Sequence, residues 1–425
     1  MIKIVVFILA IFLSVDASAV TISQLFQALK KQPITKIDTL ITKSAEISKQ
    51  KVNANFYPKI YGLASYEHFS SPTNLRPTAP TESSSIMAQH GALPFSRNIR
   101  KIGVRFSMPV FVYSLFSLSK KAQMMHKSAK EKARIKLLQN EAMIVSINAN
   151  LRYLENLTLA LEAKKKSLQA ALKSIEIGVK NGRIPEIQAI KIDENINQID
   201  IQRQAVESNI ANLKSLMENL TSIKLEKSVD MQQTSNLNES EIYALKPIKS
   251  FTKAQKYALE SEKRKRYPSI TLKSQIFRNF GKGYNNNESV IRNYGSVGIY
   301  LSMPIFDKTI NTDIQKAEVE YKKSKSTLEQ TKLELLSESY ALNKELDIVN
   351  KSIKIALKSV QNQKQLLRYA KVAFKNQRMT EEEYLRYEDA LFRAKANLFN
   401  LHYKKWNIFS KLAVIYGNNL EEMVK

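Results

Sequence analysis

The chain has 425 residues, a formal charge of +27 from 66 lysines and arginines against 39 acids, and no cysteine. With 44% hydrophobic and 25% charged residues, it is not a wholly disordered chain, and the lack of cysteine excludes disulfides, thiol catalysis and cysteine-ligated zinc. The excess of base predicts an anionic partner, either nucleic acid or a membrane surface.

The first residues have the pattern of a secretory signal peptide. A short basic start precedes an apolar run from Ile4 to Val15, and small residues at Ala17 and Ala19 predict a signal peptide over 1–19. An uncleaved anchor is the alternative, although the run is shorter than the ~20 residues of a spanning helix. Export argues against nucleic acid as a partner, and the rest of the sequence lacks an apolar stretch of that length. Contact with a membrane is therefore expected through strands.

Two long segments, 110–177 and 305–416, contain neither proline nor glycine and are rich in helix-forming residues. Apolar residues recur in them at intervals of seven, as coiled-coil seams require: Ile147, Leu154, Leu161, Leu168 and Ile175, then Leu346, Ile353, Val360, Leu367 and Phe374. Surface amphipathic helices are the alternative, but they rarely exceed about 25 residues. The pattern predicts very long antiparallel helices over 114–221 and 309–416.

An internal repeat joins these helices to strands. Residues 104–111 (VRFSMPVF) align with 299–306 (IYLSMPIF) at an offset of 195, and the same offset pairs 180–183 with 375–378. The sequence therefore predicts a duplicated unit with a short helix, a β-hairpin and long helices in each copy. The expected segments are a first repeat over 20–221 with a hairpin at 57–111, a linker or equatorial segment over 222–246, a second repeat over 247–417 with a hairpin at 267–306, and a tail over 418–425. The stretch 70–97 is rich in proline, serine and threonine and predicts a long exposed loop.

The second and fourth predicted strands alternate between apolar and polar or small residues. One uniformly apolar face is what a lipid-facing barrel strand needs, although a sheet half-buried on a soluble core has the same pattern. The residues predicted to face lipid are Ile102, Val104, Phe106, Val297, Ile299 and Leu301. Four strands cannot close a barrel, whereas two chains supply eight strands and three supply twelve, which leaves room for a pore. The favoured assembly is the trimer.

The turns between long and short helices carry further signals. Asn181-Gly182 and Asn376 are predicted to adopt positive φ and end a helix, because glycine and asparagine tolerate that conformation best. Pro185 is predicted in the first turn of the next helix, and Thr380 with Glu383 predicts a capping box.

Together these features resemble the TolC-like outer-membrane efflux channels over roughly 21–416. The resemblance rests on the strand-ending Pro109-Val110-Phe111 and Pro304-Ile305-Phe306, each with an alanine thirteen residues after the proline, and on turns similar to Gly-x-x-Ser/Thr-x-x-Asp/Glu. The turns depart from that pattern at Pro185 and Gln188 in the first copy and at Gln377 in the second.

The resemblance implies a mainly α fold with a small transmembrane β part: a twelve-stranded barrel in the trimer, continued by an α-barrel of coiled-coil helices. It also implies a Gram-negative outer-membrane location with a periplasmic trunk, a periplasmic adaptor (membrane-fusion) protein and an inner-membrane transporter as partners, and outer-membrane lipid around the strands. The turns would be periplasmic tips that gate the channel and dock the adaptor. These tip residues are Asn181, Gly182, Arg183, Pro185, Asn376, Arg378, Thr380, Glu381, Glu382 and Glu383.

Other side chains have simpler interpretations. The four histidines show no metal-ligand spacing, and the sequence shows no nucleophile-and-base pattern, so no enzyme, metal or cofactor is predicted. The basic run 263–266 is either a lipid-headgroup anchor or a solvated helix end. The favoured function is the passive exit duct of a tripartite efflux pump or type I secretion system. The alternative is an exported coiled-coil scaffold or adhesin with a soluble β head.

Overall fold

A computed structural model describes residues 20–425, so the predicted signal peptide over 1–19 lies outside the described residues. The helices are α1 (Ile22–Lys31), α2 (Pro33–Ala54), α3 (Pro80–Ala88), α4 (Tyr113–Lys180), α5 (Glu186–Thr221), α6 (Lys246–Arg264), α7 (Lys308–Lys375), α8 (Glu381–Tyr416) and α9 (Leu420–Met423). The strands are β1 (Lys59–Asn74), β2 (Phe95–Val112), β3 (Ser269–Lys282) and β4 (Ser289–Ser302). The predicted class, mainly α with a small four-stranded antiparallel sheet, is confirmed.

The chain forms two compact units, and each unit takes segments from both sequence repeats. The strand unit contains 39–133 and 245–333, and the helical unit contains 20–38, 134–244 and 334–425. The chain passes from one unit to the other within α2, within α4, just before α6 and within α7. Spatial units and sequence repeats are therefore different divisions of this chain.

In the strand unit the sheet has the order β1-β2-β3-β4, with every neighbouring pair antiparallel. Pairing of β2 with β3 joins the two hairpins. The pairing of β2 shifts register between Pro109 and Phe111, beyond the point where β1 begins opposite Ser107. Proline lacks the N–H that a central strand needs, and this bulge at the strand end accommodates it.

The stretch 70–97 is not the continuous loop that its composition predicts. β1 extends to Asn74, β2 begins at Phe95, and α3 lies between them with Pro80 in its first turn. Proline at this position is compatible with helix initiation, because the first helical N–H has no intrahelical partner.

The two segments free of proline and glycine form the 68-residue helices α4 and α7, as predicted. In the helical unit their apolar seams pack against the shorter helices that follow them. Leu154 and Leu161 contact Val206 of α5, while Ile353 and Val360 pack with Leu391 and Leu398 of α8. None of the helices within 20–425 combines the length and apolar character needed to cross a membrane.

The core of the helical unit includes α1, Trp406 and the C-terminal segment. The segment after α5 is tied to the chain end by backbone hydrogen bonds from Gln232 to Lys425 at 2.7 Å and from Thr234 to Met423 at 2.9 Å. Asn148 of α4 holds the same segment through two hydrogen bonds of 2.8 Å with the backbone of Val229. The segment 222–246 is thus fixed by contacts to residues far away in sequence.

Candidate functional site

The turn between α4 and α5 is a helix C-cap built around Gly182. Its φ is +69°, and Arg183 and Gly182 donate to the carbonyls of Gly178 and Val179 at 2.8 and 2.9 Å. This pair of bonds is the Schellman arrangement, which satisfies carbonyls that the helix end leaves open. Ile184 then folds back onto Gly178, where an added Cβ would lie 2.5 Å from the isoleucine side chain.

The turn between α7 and α8 repeats these hydrogen bonds at the same offset of 195. Arg378 donates to Ala373 at 2.9 Å and Gln377 to Phe374 at 3.0 Å. The prediction that Asn376 adopts positive φ is wrong, because Gln377 does so, with φ +56°. The Schellman bonds require the left-handed residue one position after Asn376, and this requirement outweighs the intrinsic preference of asparagine.

The helices that follow the two turns begin differently. Thr380 caps α8, and both hydrogen bonds of its capping box with Glu383 are present, as predicted. Pro185 is the N-cap residue of α5, with extended backbone and no side-chain cap bond, rather than a first-turn residue. The second helix start is therefore the better capped of the two.

The charged residues of the turns fall into two groups. Glu382 pairs with Arg386 one turn along α8, and Glu383 belongs to the capping box. Arg183, Arg378 and Glu381 are exposed and make no ion pair within residues 20–425. These three side chains are available for a neighbouring subunit, an ion or a partner protein.

Both turns lie at the same end of the paired helices. The rings of Tyr153 on α4 and Tyr403 on α8 stack at 6.5 Å, and Lys164 lies 3.6 Å from the buried Asp389. The chain direction of α4 leads toward the first turn, and that of α8 leads away from the second turn. Because these two contacts pack α4 beside α8, both turns lie at the same end of the helix pair. Asp389 also pairs with Arg393 at 3.0 Å. This residue could not be predicted from the sequence, because a single acid in a charged helix gives no distinctive signal.

The sheet has one apolar and one polar face. The residues predicted to face lipid share the apolar face, which also carries Ile60 and Ile276, and neighbouring strands bring them into transverse rows such as Ile60, Phe106, Ser274 and Val297. Val297, Ile299 and Leu301 are 75%, 75% and 70% exposed. Residues 20–425 supply no packing partner for this exposed apolar face.

The polar face is covered near the strand ends by the segment 75–94. Leu75 is buried, and its carbonyl accepts a hydrogen bond from the side chain of Asn279. Asn285 holds the far end of the segment, accepting from the N–H of Leu93 at 2.9 Å and donating to Gly91 at 3.0 Å. A recess of about 720 Å³ remains between the segment and the sheet, lined by Arg76, Lys101 and Arg105 among others.

The basic run 263–266 has partners within the strand unit. Arg264 donates to the hydroxyl of Ser117 at 2.5 Å and lies 4.1 Å from the centre of the Tyr113 ring. Lys265 pairs with Glu262 at 2.5 Å. These contacts favour a helix end over a lipid-headgroup anchor, but Arg264 is packed against Tyr113 rather than solvated as the helix-end interpretation predicts.

No protein-family model matches the sequence, and no curated protein matches it. Solved structures match over nearly the whole chain. The CmeC outer membrane channel of Campylobacter jejuni has a TM-score of 0.71 and 17% identity, covering 93% of this chain and 85% of its own. VceC of Vibrio cholerae has a TM-score of 0.70 and 14% identity over 93% and 95% of the two chains. The open state of the MtrE outer membrane channel of Neisseria gonorrhoeae has a TM-score of 0.69 and 12% identity over 94% and 89%.

The chain has the TolC-like outer-membrane channel fold. Within that fold, the exposed apolar face belongs to the sheet and the charged turns to the helical unit. The TolC-like fold is reached here at low sequence identity.

Proposed function

We propose that this protein is a trimeric outer-membrane channel that acts as the passive exit duct of a tripartite efflux pump or type I secretion system. The observation that carries the proposal is the sheet, which has an open apolar face and two unpaired edges. Unpaired strand edges are not tolerated in lipid, so the sheet needs further copies to close it.

The dimensions of the apolar face suit a membrane. From Ile102 to Phe111 the face runs about 30 Å along β2, or about 23 Å across a membrane for a strand tilted by about 40°. Exposed aromatic residues border the end of the face at which β1 and β3 begin and β4 ends. Tyr57 is 68% exposed, Tyr267 56% and Phe306 91%. Aromatic side chains of this kind are enriched where a barrel meets the membrane–water interface.

Three copies of the sheet give twelve strands, enough to surround an open pore. The polar face then lines the interior, and the segment 75–94 narrows the end of the pore at which it lies. The long helices α4 and α7 would continue the duct as an α-barrel in the periplasm. No element of the described chain supplies an energy source, so transport would be driven by an inner-membrane transporter.

The two turns are proposed as the periplasmic tips that gate the duct and dock the adaptor protein. Symmetry would set Arg183, Arg378 and Glu381 of three chains in rings around the axis. Rings of charge control which ions pass a constriction and can pair between subunits to close it. The proposal for the turns rests on the exposure of these side chains and on the absence of internal ion pairs for them within 20–425.

Membrane extraction followed by conductance measurement tests the proposal. A duct is expected to need detergent for extraction, to have the mass of a trimer in detergent, and to conduct ions in planar bilayers. A scaffold or adhesin would instead be released by salt, remain soluble without detergent and leave the bilayer silent. A monomeric protein without conductance would overturn the proposed function.

A further inference from the structure

Basic residues continue the apolar face of the sheet toward the β3–β4 turn. Arg100 follows Ile102 and Val104 in period two, and the register places it in a transverse row with Tyr66, Phe280 and Ile291. Arg278 and Lys282 flank Phe280 at the same period on β3, so they lie on this face as well. The apolar band therefore ends, on the side opposite the exposed tyrosines 57 and 267, in a set of cations.

Arg100 and Lys282 of this set border a recess whose lining contains no acidic residue. The recess measures about 710 Å³, and its charged lining residues are Arg97, Arg100 and Lys282. Two aromatic residues, Tyr66 and Tyr284, are 64% and 63% exposed beside them. We name Arg100, Arg278 and Lys282 the basic rim.

The basic rim differs from the cations on the polar face in having no acidic partners. Within residues 20–425 none of its three side chains forms an ion pair, and Arg278 lies 5.7 Å from the centre of the Phe280 ring. On the opposite face, by contrast, Lys101 lies 2.6 Å from Glu67. Three cations without acidic partners repel one another, and a negatively charged ligand bound among them would relieve this repulsion.

We propose that the basic rim binds the phosphorylated headgroup of a membrane lipid. The inference rests on the proposed membrane insertion of the sheet, since the rim lies where the apolar band meets the headgroup layer. The guanidinium group of arginine donates two parallel hydrogen bonds to phosphate oxygens. Tyrosine side chains are enriched at the headgroup level of a membrane, so the tyrosines beside the rim fit the same location. The ligand's acyl chains would lie along the apolar face formed by Ile102, Val104 and Ile276.

Nanodisc reconstitution of the full chain tests this inference. The lipid mixtures are phosphatidylcholine alone and phosphatidylcholine with bisphosphorylated lipid A, and lipid that stays bound after detergent exchange is measured by native mass spectrometry. The double variant Arg100→Gln/Lys282→Gln is expected to bind lipid A about 25-fold more weakly, at about five-fold per removed cation. Excess inorganic phosphate is included to separate a lipid site from a free-phosphate site, and it is expected to displace little lipid.

A matched control removes one arginine and one lysine from the opposite face. The double variant Arg105→Gln/Lys273→Gln changes net charge equally and is expected to retain lipid A like the unchanged protein. If both double variants bound lipid A equally weakly, the loss would be explained by net charge alone, and the proposed site would be overturned. Insertion without selective retention of lipid A, or displacement by inorganic phosphate, would overturn the site while leaving the channel function standing. Failure to insert into either nanodisc would overturn the channel function and this inference together.

Discussion

Two glycines with left-handed backbone differ in what surrounds them. Gly417 ends α8 with φ +77°, and a Cβ added there would overlap the ring of Tyr243. Gly182 has φ +69° in the first turn, but no atom lies within 4 Å of an added Cβ. Substituting alanine at each of the two glycines therefore distinguishes the free-energy cost of the left-handed backbone from the cost of a steric clash.

Gly417→Ala is expected to lower the free energy of unfolding by about 2–4 kcal/mol, since about 1 kcal/mol of backbone strain adds to displacement of the Tyr243 ring. Gly182→Ala is expected to cost only about 1 kcal/mol. Denaturant unfolding in detergent measures both. Equal losses for the two variants would contradict the packing role of Tyr243.

Glu141 of α4 is almost fully buried, with 1% of its surface exposed. Burial raises the pKa of this carboxyl to about 7, against the lowering influence of Arg134 and Lys30, while Glu421 adds to the rise. The folded chain therefore holds a proton that the unfolded chain releases above its ordinary pKa of 4.5. The stability gained from this proton is complete below pH 4.5 and is lost as the pH rises through about 7.

Glu141→Gln is expected to remove this pH dependence, because glutamine stays neutral. Near pH 5 the variant should unfold close to the temperature of the unchanged protein, and near pH 8 it should be more stable by on the order of 3 kcal/mol. Thermal unfolding at both pH values checks the prediction. If the unfolding temperature of the variant fell as steeply with rising pH as that of the unchanged protein, the pH dependence would come from groups other than Glu141.

At the scale of elements, strand amphiphilicity and helix seams follow from short-range periodicity. Along β4, the apolar residues Val297, Ile299 and Leu301 alternate with the small residues Ser296 and Gly298. The two faces can be compared directly by placing the same charge on each.

Ile299→Arg is expected to destabilise the membrane-inserted form by about 2–4 kcal/mol, because a charge on the lipid face must be desolvated. Ser296→Arg on the polar face is the control and should change little. The fraction of protein folded into lipid vesicles, measured by protection from protease, reports the difference. Similar protection for both variants would argue that the apolar face does not meet lipid.

At the scale of the whole molecule, assembly would multiply each exposed charge at the turns. In the proposed trimer, Arg378 would contribute three positive charges and Glu381 three negative charges to the proposed tip of the duct. Charge rings at a constriction set ion selectivity more strongly than charges elsewhere.

Arg378→Gln is expected to shift the reversal potential in a salt gradient toward cation selectivity, and Glu381→Gln is expected to shift it toward anion selectivity. Planar bilayer recordings measure both shifts. Lys224→Gln, which removes an exposed charge outside the turns, serves as the control. Unchanged reversal potentials in both turn variants would contradict their location along the ion path.

Elements whose signals are local could be predicted from the amino-acid sequence alone. Long helices, strand alternation and the capping box of Thr380 depend on residue spacing within a few turns, and all are present in the structure. The sequence duplication is also present in the structure, since Arg183 and Arg378, 195 residues apart, donate equivalent backbone hydrogen bonds at their helix ends.

Features that depend on residues far apart in sequence could not be predicted in this way, because they arise from contacts made only in the folded chain. Pairing of β2 with β3 joins the two hairpins, so neither repeat forms a unit of its own. Positive φ at Gln377 follows from a hydrogen-bond pattern, and attachment of 222–246 to the chain end follows from contacts across the chain. Periodicity assigns Arg100 to a face, but its grouping with Arg278 and Lys282 requires strand register, which local sequence does not encode.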